Sequence, residues 1–515
     1  MAEGNRLGRT PRGFIFLAVG AAFGLLAGTV LSAQHSPAAG PLPAALSAAS
    51  PSTSAQASAS AAPVHYQGTF HLQPERGTPG TVVRAIGSGF APGAHLAIDW
   101  NTVDGRWVLT GSSHETFAGR AFDPVIEPLT QVTVDGSGAF AASFVAPHDF
   151  GFSHDVTVER AGAIVNKAAF WLDPTVTVTP ASGPPGTPIQ ITMDGVGAAY
   201  LYNNWVVSYD NSFAGWISSV TTGGLARATI PATGGPGVHQ ITVWGGNPTF
   251  PYLNTPQSPT PDRPTFDASF TVTDGPPVLP VAAGQQSLPA VAGVQPSASG
   301  PQIWTDPQTA TVGTPVVLHA TGFPAGASVG LTWWTEVGSR VSGQGYDEQS
   351  KSIGTLTAAA AGTFALTLPV PNDLGGAHRI EAAVGGTTLA STSVTITPSA
   401  FPIEPAAGPP GTAITLHLKG VGWTGTANIY TVVYDNGYLG YACGFNSQGD
   451  VVIHLPAAGA PGWHFIDLYP AIYKGTDTQL VQDFLIPQLT FAADHPGERL
   501  PAFHFAFQVT GQPAG

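Results

Sequence analysis

A five-residue turn recurs along this chain and constrains its fold more than any other feature. Gly77-Thr78-Pro79-Gly80-Thr81, Gly183-Pro184-Pro185-Gly186-Thr187 and Gly408-Pro409-Pro410-Gly411-Thr412 share the form Gly-x-x-Gly-Thr, and Ala310-Thr311-Val312-Gly313-Thr314 is a weaker copy. The Gly before Thr falls at 80, 186, 313 and 411, giving gaps of 106, 127 and 98 residues. The middle gap holds a 26-residue Pro/Gly/Ala-rich linker, 275–300, and without it measures 101. Self-similarity at about one hundred residues predicts four copies of one structural unit. After each turn comes a Gly followed by an aromatic or small residue: Gly89-Phe90, Gly197-Ala198, Gly322-Phe323 and Gly422-Trp423, at offsets of 9, 11, 9 and 11. Units one and three therefore match each other, as do units two and four, which predicts a duplicated two-domain block.

The later halves agree. Units one and three share a loop from Pro147 to His154 and from Pro371 to His378, and units two and four share Pro231 to His239 and Pro456 to His464. Each final His leads into a period-two run such as His239-Gln240-Ile241-Thr242-Val243-Trp244. Short alternating runs between Gly/Pro turns predict antiparallel strands. About seven of them per hundred residues predict an immunoglobulin-like sandwich. The expected fold class is all-β: four tandem sandwiches over 64–173, 174–274, 301–397 and 398–515, with the linker 275–300 between the halves. The opening Pro-x-x-Gly-x-Pro-Gly-Thr, the Val/Ile alternation and Gly-x-Gly-Phe-x-Pro-Gly from Gly87 to Gly93 resemble the IPT/TIG-type immunoglobulin-like repeats of bacterial surface proteins. The resemblance covers residues 64 to 511 and implies an exposed multidomain protein. It carries no catalytic residue over, because that family has no shared active site.

Composition narrows the function. Lys+Arg is 17 against Asp+Glu 31, a net charge of −14, which repels nucleic-acid phosphates and anionic lipid. No nucleic-acid partner is expected. Charged residues are only 9%, yet 43% are hydrophobic, so the Gly- and Pro-rich chain still has cores to build. Arg6, Arg9 and Arg12 precede an uncharged stretch, 13–33, which reads as an export helix. Its 21 residues suit a retained anchor, while Ala33 suits cleavage although Leu31 does not, so signal peptide and anchor both stay open. Either way the rest is expected outside the cytoplasm, secreted or anchored, with membrane contact only through that helix. Residues 34–63 are Ala/Ser/Pro-rich and read as a disordered stalk. A lone Cys443 excludes an intrachain disulfide framework and is expected to be buried.

Candidate sites each have a plainer reading. His154, His239, His378 and His464 occupy one place in four units, so they cannot converge on a single ion and are read as ties between a loop and a strand. Asp210-Asn211 and Asp435-Asn436 read as turns rather than calcium ligands, and Asn436-Gly437 is the strongest hairpin signal of the chain. Unit four holds six of the twelve tyrosines, and its last two strands are separated by a long loop, about 470–500. Tyr438, Tyr441, Trp463, Tyr469, Tyr473 and Asp477 are accordingly the candidate ligand-binding residues, suited to sugar stacking or protein contact. Enzyme signatures such as Gly-x-Ser-x-Gly, His-Glu-x-x-His or a phosphate loop are missing, and no metal, cofactor or catalytic residue is expected. The expected function is a non-catalytic surface or secreted protein, an adhesin or envelope spacer. A carbohydrate-binding protein using unit four is the alternative, and an exported hydrolase the distant one. Polysaccharide or another surface protein is the expected partner.

Overall fold

Apolar residues at every second position, cut by Gly and Pro, give each segment one face to bury and no helical period to compete. The computed structural model describes residues 66–111, 115–199, 201–246, 250–258, 260, 263–339, 345–473 and 484–511. The export helix expected over 1–33 and the stalk expected over 34–63 lie outside the described residues. Among the described residues the fold is all-β, with two single 3-10 turns and no helix long and apolar enough to cross a membrane.

Eight sheets alternate between three and five strands and form four sandwich-like pairs. In the first pair the small sheet joins Thr69–Gln73, Val82–Ser88 and Ala139–Val145. The large sheet orders Arg76–Gly77, Ala163–Leu172, Phe152–Arg160, His95–Thr110 and Thr116–Thr133. The other three pairs repeat this order, including a two-residue first strand that runs parallel to the last strand. Alternation fills each core. In the first pair Val83 and Ala85 of the small sheet meet Ile98, Trp100, Val158 and Phe170 of the large one. Each such large side chain contributes roughly 1.5–3 kcal/mol on burial. The recurring turn is set by its second Gly: Gly80, Gly186, Gly313 and Gly411 have φ of +81 to +89°, the left-handed position of a type II turn.

The four histidines do tie loop to strand. The Nε2 of His154, His239, His378 and His464 faces the carbonyl of Phe150, Gly235, Leu374 and Ala460, four residues back in every case. They fall into two kinds. His154 and His378 stack on the buried Trp100 and Trp333, whose indole N–H groups donate to Asp149 and Asp373. His239 and His464 instead face the carboxylates of Asp210 and Asp435 through Nδ1, at 2.6 and 2.5 Å. Burial disfavours their charged forms, but the carboxylate and the loop carbonyl outweigh it, and both imidazoles titrate above their ordinary value.

One turn sits a residue earlier than Asn436-Gly437 suggests. The two-residue loop is Asp435-Asn436, at φ +47 and +61°, and Gly437 already begins the next strand. Asp435 is held there because its carboxylate also accepts the Phe465 backbone N–H. Asp210-Asn211 forms the matching turn in the second pair, at φ +47 and +64°.

Both halves are joined internally in one way. Gly151 bridges Gly197 between the first and second pairs, and Gly375 bridges Gly422 between the third and fourth. A Cβ on either leading glycine would lie 1.9–2.0 Å from the facing carbonyl oxygen, so the backbones meet directly. The linker 275–300 is packed rather than loose where Gln286 exchanges two hydrogen bonds with the backbone of His504.

Candidate functional site

The structure does not gather the aromatic residues of the fourth pair into one exposed platform. Tyr469 is buried, with burial holding its phenol well above the usual range, and its hydroxyl is aimed at the Thr229 carbonyl of the second pair. Tyr438 is half-buried and donates its hydroxyl to the Leu485 carbonyl. Tyr473 packs on Phe445 at 5.5 Å, beside Cys443 and Trp423. Trp463 is half-buried and stands opposite Gln508. Tyr441 is 45% exposed, and Asp477 lies outside the described residues. Cys443 is half-buried rather than buried, and that partial burial pushes its thiol up.

The described part of the long loop, 484–500, is a contact surface turned toward its own chain. Residues 487–489 lie along the edge strand Ser212–Ile217 of the second pair: Trp216 donates to the Pro487 carbonyl and Leu489 donates back to Trp216, both at 2.9 Å. This is β-augmentation within one molecule, satisfying an edge that would otherwise present open donors and acceptors. Leu489 joins the core of the second pair. A few residues on, Asp494 is 1% exposed and accepts from the backbone N–H of Val220 and Thr221, the Thr221 hydroxyl and the Trp107 indole N–H. Trp107 belongs to the hairpin His95–Thr110/Thr116–Thr133, which projects as an arm from the first pair. Phe117 on the same arm meets Phe484 edge-on at 6.1 Å. Segment 484–500 thus clasps three sheet pairs together. Sequence reasoning found the loop by its length and read it as a contact surface for a ligand; in the structure its described part 484–500 contacts the chain's own first and second pairs.

Sequence reasoning passed over the joint between the first and second pairs. It contains a cleft of about 900 Å³, lined by residues of both. Strand His95–Thr110 supplies Asn101, strand Phe152–Arg160 supplies Phe152 and Asp155, strand Ala163–Leu172 supplies Trp171, and the arm supplies Arg120 and Phe122. The second pair adds Tyr202 and Asn203 from the loop after Gly197. The Phe152 ring stands 4.0 Å from Tyr202 and at 88° to Trp171, centroid distance 5.6 Å. Arg120 donates to the side-chain oxygens of Asn203 and Asn204 at 2.9 and 3.0 Å and lies over the rings of Trp107 and Trp216. Among the described residues no group of three or more His, Cys, Asp or Glu side chains is placed to hold a metal ion.

The joint of the second half has the same frame and different contents. Trp423 stands where Ala198 does, and Gly376 where Phe152 does. The Trp423 indole lies over Gly376 and meets the His378 ring edge-on at 5.6 Å. Gln448 inserts its amide between Asp373, Thr335 and the Glu336 carbonyl. Arg379 stacks on Trp334 at 4.2 Å and pairs with Glu348 and Glu381.

No protein-family profile matches the sequence, and no curated protein matches it. Among solved structures the chain is similar to a Salmonella alpha-2-macroglobulin variant at 12% identity, over 84% of this chain and 30% of that one, with a TM-score of 0.17. Trypsin-activated alpha-2-macroglobulin from Escherichia coli follows at 10% identity, 86% and 41% coverage, and a TM-score of 0.16. Latent dimeric PorU from Porphyromonas gingivalis matches at 10% identity, 64% and 32% coverage, and a TM-score of 0.15. The chain spans less than half the length of the alpha-2-macroglobulins it matches. At these TM-scores neither fold nor activity passes from them to this chain.

Proposed function

We propose that this is a non-catalytic, exported protein in which four immunoglobulin-like domains of the IPT/TIG type are locked into one rigid body, serving as an adhesin or envelope spacer. The clasp formed by 484–500 carries the reading. A flexible string of domains has no use for a loop that spends its length completing another domain's edge and gripping a third domain's arm. Export is supported by the basic start and the apolar stretch 13–33, and exposure by the low charge and the polar Ala/Ser/Pro segment that follows. The expected partner is a polysaccharide or another surface protein.

Two measurements on the full chain test this. Expressed with its native start in a bacterial host, the protein should be degraded by protease added to intact cells or recovered from the medium; retention in the cytoplasm overturns export. Small-angle scattering of residues 64–515 should give a radius of gyration below about 30 Å, against about 22 Å for a fully compact chain of this length. A markedly larger value would mean four independently moving domains and would overturn the rigid-body reading.

A further inference from the structure

We propose that the cleft between the first and second sheet pairs is a binding site for a carbohydrate, an oligosaccharide segment of two or three neutral residues. The inference stands apart from the scaffold reading, which would survive its failure.

Three observations carry it. The first is volume: about 900 Å³ falls within the range of ligand pockets, far beyond a packing defect. The second is the twin joint. At the same glycine-to-glycine frame in the second half, the Trp423 indole covers Gly376 and the Gln448 amide bonds Asp373. In the first half the residue in the place of Trp423 is Ala198; the Phe152 ring packs over Gly197 and against Tyr202 instead, and the cleft opens beside them. The third is the backbone at Phe152, whose φ of +81° lies in the left-handed region that bulky residues avoid. Its twin Gly376 adopts φ +106° at no such cost. A strain of roughly 1–3 kcal/mol is therefore retained at the position that places an aromatic ring in the cleft wall.

The lining fits a sugar. Pyranose rings offer an apolar C–H face and a rim of hydroxyls that each donate and accept. Trp171, Tyr202 and Phe122 present half-buried rings to the cleft, and Phe152 packs behind them against Trp171 and Tyr202. Asn101, whose amide already donates to the Asp155 carbonyl and the Thr157 hydroxyl, and the part-exposed Asp155 carboxylate, paired with Lys167, add polar groups to the wall.

The test uses residues 64–515 titrated with cellohexaose, xylohexaose, maltohexaose and chitohexaose, followed by calorimetry and tryptophan fluorescence. At least one sugar should bind saturably. Trp171→Ala should weaken it about tenfold or more. Phe152→Gly/Ala198→Trp, which rebuilds the twin joint, should abolish it while circular dichroism stays unchanged. If the double variant fails to fold, Trp171→Ala decides alone. Four sugars that all fail to bind, or binding that survives these substitutions, overturns the proposal. So does saturable binding of a synthetic peptide of residues 34–63 in place of every sugar.

Discussion

The two halves of this molecule solve one joint differently. Each sets a glycine of one sandwich against a glycine of the next, with a Trp–His stack just behind it. The second joint is then filled from within by Trp423 and Gln448. The first is left hollow and held from outside, by an arm and by a loop that arrives from the fourth pair. A duplicated backbone frame therefore fixes neighbours but not contents. Large and small residues are exchanged at two positions, Phe152/Ala198 against Gly376/Trp423, so the ring that packs each joint comes from opposite sides of it.

The comparison breaks most visibly at the outer clasp. Asp494→Ala leaves two backbone N–H groups and the Trp107 indole N–H without their buried acceptor, and should cost about 4 kcal/mol by denaturant unfolding. It should also raise amide exchange at 218–221 while the third and fourth pairs keep theirs. If protection at 218–221 were unchanged, the clasp would not be what holds the first joint. The shared part of the frame is next. Trp100→Phe and Trp333→Phe each remove the donor to a buried aspartate and part of a stacked ring, and each should cost about 2–3 kcal/mol. Unequal losses would mean the two frames are not energetic equivalents. Gln448→Ala removes the amide that bonds Asp373 and the Glu336 carbonyl and should cost about 1.5 kcal/mol, with calorimetry placing the loss in the second half. The smallest effect concerns pH. His239 and His464 titrate above their ordinary value in the folded state, so their contribution is fully present below the unfolded value near 6.5. It is lost as pH rises through the raised folded value. Stability should thus fall slightly as pH rises above about 6.5, and Asp210→Asn/Asp435→Asn should flatten that slope.

Much of the frame was legible in the residues. A turn whose second glycine must take positive φ, a fixed offset to the next glycine, and a His returning at one place in four units are local demands, and local demands repeat visibly. The one-residue shift of the Asp435-Asn436 turn shows where locality fails, because a His and a backbone N–H from another strand choose the register. The site was less legible. Unit four's tyrosines stood out by composition, yet Tyr469 and Tyr438 are engaged with Thr229 and Leu485, partners far away in sequence. The exchange at the joint was on display in Gly197-Ala198 against Gly422-Trp423. Nothing local says that the side chain after that glycine fills a space between sandwiches.

Segment 484–500 also has a consequence in time. The chain is synthesised from its N-terminus, so the strand Ser212–Ile217 emerges some 270 residues before the Pro487–Leu489 stretch that covers it. Until then the second sandwich waits with a bare edge and an uncovered Trp216, and closing so long a loop is entropically slow to begin. Segment 484–500 acts as the latch of the first, second and fourth sheet pairs, and a chain truncated before it would leave the Ser212–Ile217 edge uncovered.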